Sequence, residues 1–216
     1  MKKSMVFTLV LIFIFSSIAL GKPPLKGIET FCIGCHKEAL TLPGGTYDPV
    51  YPIKGKHKGG NVTPKQAYEM MKKDPKHTFL VDVRTRYEYM DIGHPVEAYH
   101  IPWKFYSTKV GKRGYQKELN KNFCNDLKAR FNPDKDTLLL LCRSAARTIA
   151  ASTAAVDCGF KKDKVFNVLG GFEGDTVKDK GSPHYGKRMV GGWRLEGLPW
   201  TYRMNPNLMY QADFKK

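Results

Sequence analysis

The stretch Thr137-Leu138-Leu139-Leu140-Leu141-Cys142 limits the possible folds of this chain more than any other. Successive residues of a strand point to opposite faces, so a run apolar at every position predicts a strand buried on both sides. A parallel sheet covered by helices on both faces is the architecture that uses such strands. The surrounding pattern agrees. Thr63-Pro64-Lys65-Gln66 reads as an N-cap, a proline at the first helical position and a capping-box glutamine, and predicts a helix to about Lys73, before Asp74-Pro75. A strand is predicted over His77–Val83 and a helix over Thr85–Asp91. A third helix is predicted over Arg147–Cys158, ended by Gly159, and a further strand over Lys164–Leu169, ended by Gly170-Gly171. Alternating strands and helices give an α/β fold. Lys104–Asn122 and Gly174–Gly192 are basic and contain glycine, and both read as inserted loops.

Hydrophobic residues make up 42% of the 216 positions, enough for a globular core. The single long apolar stretch lies at the N-terminus, which excludes a polytopic membrane protein. Lys2 and Lys3 precede an apolar run from Met5 to Phe15, then Ser16-Ser17 and Ala19-Leu20-Gly21. This has the form of a secretory leader cleaved after Gly21, or after Ala19. A retained anchor is the other reading, but the run is short against the ~20 residues that a span needs. The predicted organisation is a leader over 1–21, a cysteine-containing segment over 22–61, a domain over 62–204 and a tail over 205–216. Export to the periplasm, with no membrane span after cleavage, is the expectation. The formal charge of +16 then points to anionic small molecules, lipid surfaces or an acidic redox partner protein. No nucleic-acid motif accompanies the lysines.

Phe31-Cys32-Ile33-Gly34-Cys35-His36 matches the C-x-x-C-H attachment motif of haem c. The chemistry explains the spacing: two thiols add to the haem vinyl groups, and the adjacent imidazole binds iron. One covalent haem c on Cys32, Cys35 and His36 is therefore expected, with His57 as the candidate second iron ligand. Met70, Met71, His77 and His100 are alternatives. A dithiol–disulfide pair and a zinc site are competing readings of the same cysteines. Cys124 and Cys158 remain, and a disulfide between them is compatible with export.

Cys142 ends a predicted strand, and a helix follows within a few residues. In parallel sheets ligands bind at the carboxyl ends of strands. The turn into a helix aims backbone N–H groups at that point, and the helix start carries partial positive charge. A cysteine in such a nest is expected to react as its thiolate. Arg143 and Arg147 add fixed positive charge, Thr148 a further hydroxyl, and Ser144, Ala145 and Ala146 complete the loop.

Cys142-Arg143-Ser144-Ala145-Ala146-Arg147 resembles the active-site loop of rhodanese-like sulfurtransferase domains. Further family landmarks follow the same order along the chain. Leu80-Val81-Asp82-Val83-Arg84 with Glu88, Gly93-His94 through Ala98 to Ile101-Pro102, Val168-Leu169-Gly170-Gly171, and Gly192-Trp193 through Gly197-Leu198-Pro199 are similar to the family's signatures. The resemblance spans about residues 62–202. It implies covalent catalysis, in which Cys142 takes sulfur from a thiosulfate-like donor as a persulfide and passes it to a thiophilic acceptor. Arg143 and Arg147 would orient the anionic donor, with Asp82, Arg84 and His94 bracing the fold. The family loop usually has glycine where Ala145 stands, and a position of positive φ there would strain alanine. A cysteine–arginine loop before a helix also occurs in phosphatases, whose loop is one residue longer. Three functions compete on these residues: a haem-bearing sulfurtransferase, a mono-haem electron-transfer protein using the scaffold for docking, and a haem-free polysulfide carrier.

Overall fold

The computed structural model describes residues 51–112 and 114–211. Five parallel strands form one sheet: β1 (Gly60–Val62), β2 (Thr78–Asp82), β4 (Tyr99–His100), β7 (Thr137–Leu141) and β8 (Val165–Val168). Their spatial order is β1-β8-β7-β2-β4, which sets the leucine strand β7 at the centre, while β3 (His94–Pro95) pairs antiparallel with β11 (Trp200–Thr201) outside this sheet.

Two cores explain why β7 is apolar throughout. Leu138 and Leu140 face one core, with Phe123 and Leu127 of α3 (Phe123–Arg130) and Ala151 and Ala155 of α4 (Arg147–Asp157). Leu139 and Leu141 face the other, with Ala67 of α1 (Pro64–Lys73), Phe172 and Trp193. Each leucine of this strand is thus removed from water, at about 1.5–3 kcal/mol apiece. Helix α1 starts as its sequence predicts. The Thr63 side chain accepts from the Gln66 N–H, and the Gln66 side chain accepts from the Thr63 N–H. Thr85 and Glu88 build the same reciprocal cap on α2 (Arg86–Asp91).

The first inserted segment is not a loop. Lys104–Gly111 (β5) and Gly114–Leu119 (β6) form an antiparallel hairpin, paired Lys104 with Leu119, Tyr106 with Lys117 and Val110 with Tyr115. Tyrosine, threonine and valine suit strands, and Gly114, at φ +98°, supplies the turn. The lysines between them hide this pattern. The second insertion holds a short antiparallel pair, β9 (Asp175–Thr176) with β10 (Arg188–Val190). It leaves and rejoins the domain at one place, because the Trp193 N–H donates to the Gly171 carbonyl at 2.7 Å. At the end of the domain, the His100 N–H donates to the Leu208 carbonyl at 2.8 Å, and the Arg130 guanidinium holds the Asn207 and Met209 carbonyls. Residues 207–209 therefore pack onto the domain.

Cys124 on α3 and Cys158, which caps α4, form a disulfide across 34 residues. A cross-link closing a loop of that length stabilises by roughly 3–4 kcal/mol through the unfolded chain. Reduction is expected to lower the melting temperature by about 10 °C, measured by thermal unfolding with and without reductant, with Cys124→Ala/Cys158→Ala melting at the reduced value under both conditions. Among the described residues, no helix is long and apolar enough to cross a membrane.

Candidate functional site

The carboxyl end of β7 delivers Cys142 to the start of α4. The thiol is buried, at 1% exposure, and is the free cysteine among the described residues. The loop is held from behind. The Cys142 carbonyl accepts from the Phe172 N–H at 2.7 Å, and the Arg143 carbonyl from the Glu173 N–H at 3.0 Å. A trans peptide sets its N–H opposite its C=O, so the amides of Arg143 and Ser144 turn away from those donors. Gly171 makes this approach possible: a Cβ on it would sit 2.3 Å from the Cys142 carbonyl oxygen. Helix α4 has Ala146 at its N-cap and no side-chain cap, so no side chain among the described residues takes its first amides. An uncapped helix start beside a cysteine is suited to an anion on that sulfur.

Ala145 adopts φ 63°, the left-handed conformation that favours glycine. The strain costs about 1–2 kcal/mol. Ala145→Gly is expected to raise stability by about 1 kcal/mol, read as a higher denaturation midpoint with an unchanged slope.

The two loop arginines are both paired. Arg147 grips the Glu88 carboxylate with both terminal nitrogens, one of them at 2.6 Å from Oε2. Burial pushes the Glu88 carboxyl up, but the hydrogen bonds and charge of Arg147, with those of Thr85, hold it down at about 2. Burial alone would lower Arg147, but Glu88 raises it above its ordinary value. Arg143, half exposed, lies with Nε 3.0 Å from Glu173 Oε1. Arg147 therefore fixes the loop to α2, while Arg143 stays nearer solvent.

Thr148 Oγ1 lies 3.8 Å from Cys142 Sγ and donates to Asn167 Oδ1. Asn167 in turn donates through Nδ2 to Asn61 Oδ1 at 2.9 Å, which also receives His57 Nε2 at 3.0 Å. With the Thr148 proton given to Asn167, the bond to sulfur runs from the Cys142 S–H to Thr148. Rotation of that hydroxyl converts it into a donor to sulfur.

Asp82 and Arg84 form the expected brace, fully buried and 2.6 Å apart, with Arg84 Nη2 also donating to the Gly93 carbonyl. His94 stacks on Tyr89, with ring centroids 3.8 Å apart. Of the candidate iron ligands, His77 binds Asp136 at 2.9 Å, and Met70 and Met71 pack on the second core. Burial lowers His100 to about 4, and its Nε2 meets the Arg84 carbonyl. His57 is half-buried, and its Nδ1 is enclosed without a partner among the described residues. Cys32, Cys35 and His36 lie outside the described residues.

Lys54, Asn61 and Asn167 reach the site although the sequence does not mark them as site residues. Their contacts span 90, 106 and 19 positions of chain, and no local pattern marks them.

The model of the rhodanese-like domain family matches residues 63–176. An uncharacterised protein of Rickettsia prowazekii is 33% identical over 143 residues, which are 66% of this chain and 97% of that protein. A counterpart from Rickettsia conorii is 32% identical over the same shares. Among solved structures, that of Rv0390 from M. tuberculosis is 32% identical with a TM-score of 0.53, covering 68% of this chain and 100% of its own. With the central strand, the cysteine loop and the Asp82–Arg84 brace, these matches establish that the chain belongs to the rhodanese-like domain family.

Proposed function

We propose that the protein is an exported sulfurtransferase that carries sulfur as a persulfide on Cys142, taken from an anionic donor of the thiosulfate type. The observation that carries this reading is the position of Cys142, at the carboxyl end of the central strand and against the uncapped start of α4. The thiolate attacks the outer sulfur of the donor. A bond forms between Cys142 Sγ and that sulfur, the bond to the sulfonate sulfur breaks, and sulfite leaves with the electron pair. An acceptor such as cyanide then takes the terminal sulfur and returns the thiolate. The loop amides and the turned Thr148 hydroxyl hold the persulfide anion, where preformed donors need no reorganisation.

Export and haem c belong to the same proposal. The leader supports export, and so does a disulfide placed where an oxidising compartment would keep it. The donor set fits the cofactor: Cys32 and Cys35 would hold haem through thioether bonds, His36 would bind its iron, and His57 is the proposed second ligand. Bound haem supplies one-electron chemistry. Ligation through His57 Nε2 would exchange its bond to Asn61.

Two measurements on protein made with haem-attachment machinery test the reading. Thiosulfate should add the mass of one sulfur atom at Cys142, and cyanide should remove it. Visible absorbance and intact mass should show one covalent haem. A chain that gains no sulfur from thiosulfate loses the transferase reading, and one without haem loses the cytochrome part. The second reading is a mono-haem electron-transfer protein that docks an acidic redox partner. The strain at Ala145 and the burial of Cys142 favour it, and partner reduction retained in Cys142→Ser, with no sulfur gained by the wild type, would establish it.

A further inference from the structure

The segment before β1 places a third cation at the cysteine loop. Lys54 Nζ donates to Ser144 Oγ at 3.1 Å and lies 3.0 Å from Asp175 Oδ2. Its side chain is 20% exposed, so solvent and small solutes reach it. An ammonium carries three N–H donors. Among the described residues, Ser144 and Asp175 take two, which leaves one. The two arginines are placed differently. Arg147 is gripped through both carboxylate oxygens of Glu88, and Arg143 leans outward on Glu173. Only Lys54, among the three, is bonded to a side chain of the loop itself.

The mount of Lys54 is built rather than incidental. Tyr51 packs where a Cβ on Gly170 or Gly191 would stand, 2.7 and 2.3 Å from its ring, which fixes the segment to the glycine turn behind Cys142. Asp175 lies at the base of the second insertion, beside that turn. Lys54 is outside residues 63–176, so the cation belongs to this chain's own N-terminal extension of the domain.

We propose that Lys54 is the specificity-determining residue that receives the negative charge of small oxyanionic substrates at the Cys142 loop, with Asp175 as the counter-ion that such a substrate displaces. This rests on the sulfurtransferase reading for its natural substrate, but not for its test. An oxyanion beside Ser144 would take the free N–H of Lys54 and compete with Asp175 for its charge. The two residues should then act in opposite directions. Removing Lys54 weakens anion capture. Removing the charge of Asp175 strengthens it, because the ammonium no longer has a resident partner.

The test compares iodoacetate with iodoacetamide, two alkylating probes of similar size that differ by one charge, with the rate read at Cys142 by peptide mass. Lys54→Met is expected to slow iodoacetate about tenfold, the effect of one charged hydrogen bond, and to leave iodoacetamide unchanged. Lys54→Arg should keep the wild-type ratio, and Asp175→Asn should raise the iodoacetate rate. In parallel, the KM for thiosulfate should rise in Lys54→Met and fall in Asp175→Asn, with kcat held. Melting temperatures identify any variant that has lost its fold, in which case the Arg and Asn variants decide. Equal iodoacetate-to-iodoacetamide ratios in all four proteins would overturn the proposal. A ratio that follows Lys54 in a protein that gains no sulfur from thiosulfate would uphold the anion site and remove the sulfurtransferase reading alone.

Discussion

Cys142→Ser is expected to abolish sulfur transfer, with thiosulfate:cyanide activity falling by at least about a thousandfold. A hydroxyl of similar size keeps the packing against Thr148, so melting temperature and circular dichroism should stay close to wild type. The loss follows from the bond that must form. Serine is not a nucleophile toward sulfane sulfur at neutral pH, and nothing else among the described residues offers a free thiol. The same variant separates the two readings of the haem segment. If haem and persulfide are coupled, thiosulfate changes the haem redox state in the wild type and not in Cys142→Ser. If the domain serves only for docking, electron transfer to a partner is the same in both.

Glu88→Gln should have the largest effect on stability. Arg147 is mostly buried, and its guanidinium is held by this one carboxylate. Removing one member of such a pair leaves a buried charge without compensation, at about 3–5 kcal/mol. The sign of the acid dependence follows from the same pair. Glu88 titrates at about 2 when folded, against an ordinary 4.5, so the unfolded chain binds its proton more readily. Its contribution is complete above the ordinary carboxylate range and is lost as pH falls toward 2, amounting to about 3 kcal/mol. Urea unfolding at pH 7 and pH 3 should show about 2 kcal/mol of this loss in the wild type and less in Glu88→Gln. Equal pH dependence in both would remove Glu88 as its source. Transfer activity should fall with it, because α4 and the loop lose their tie to α2.

The elements that could be read in advance are those whose cause is local. The all-apolar β7, the capping box of α1 and the stop at Gly159 each depend on a few neighbouring residues, and each lies where the pattern sets it. The loop cysteine and its arginines were legible for the same reason, and so was the strain at Ala145. The partners of those arginines were not. Glu88 lies 59 positions from Arg147, and Ser144 lies 90 from Lys54, so each pairing is a product of the sheet order. The expectation that both arginines orient the donor left out their partners, Glu88 for Arg147 and Glu173 for Arg143. The first insertion was misread because strand-forming tyrosines and valine alternate with lysines. A two-stranded ribbon with both faces wet carries no buried stripe to betray its period.

That ribbon has a consequence for the behaviour of the protein at high concentration. Among the described residues, β5 and β6 pair only with each other, so each keeps an outer edge of unpaired backbone groups there, beside exposed Val110 and Tyr115. Such an edge is a template for a strand from another copy. Lys104, Lys109, Lys112 and Lys117 along the hairpin make two approaching copies repel. That protection is electrostatic and fades once salt shortens the screening length to a few ångströms. The hairpin's lysines thus act as the guard against self-association, and colloidal stability is tied to ionic strength in a way that the disulfide-stapled core is not.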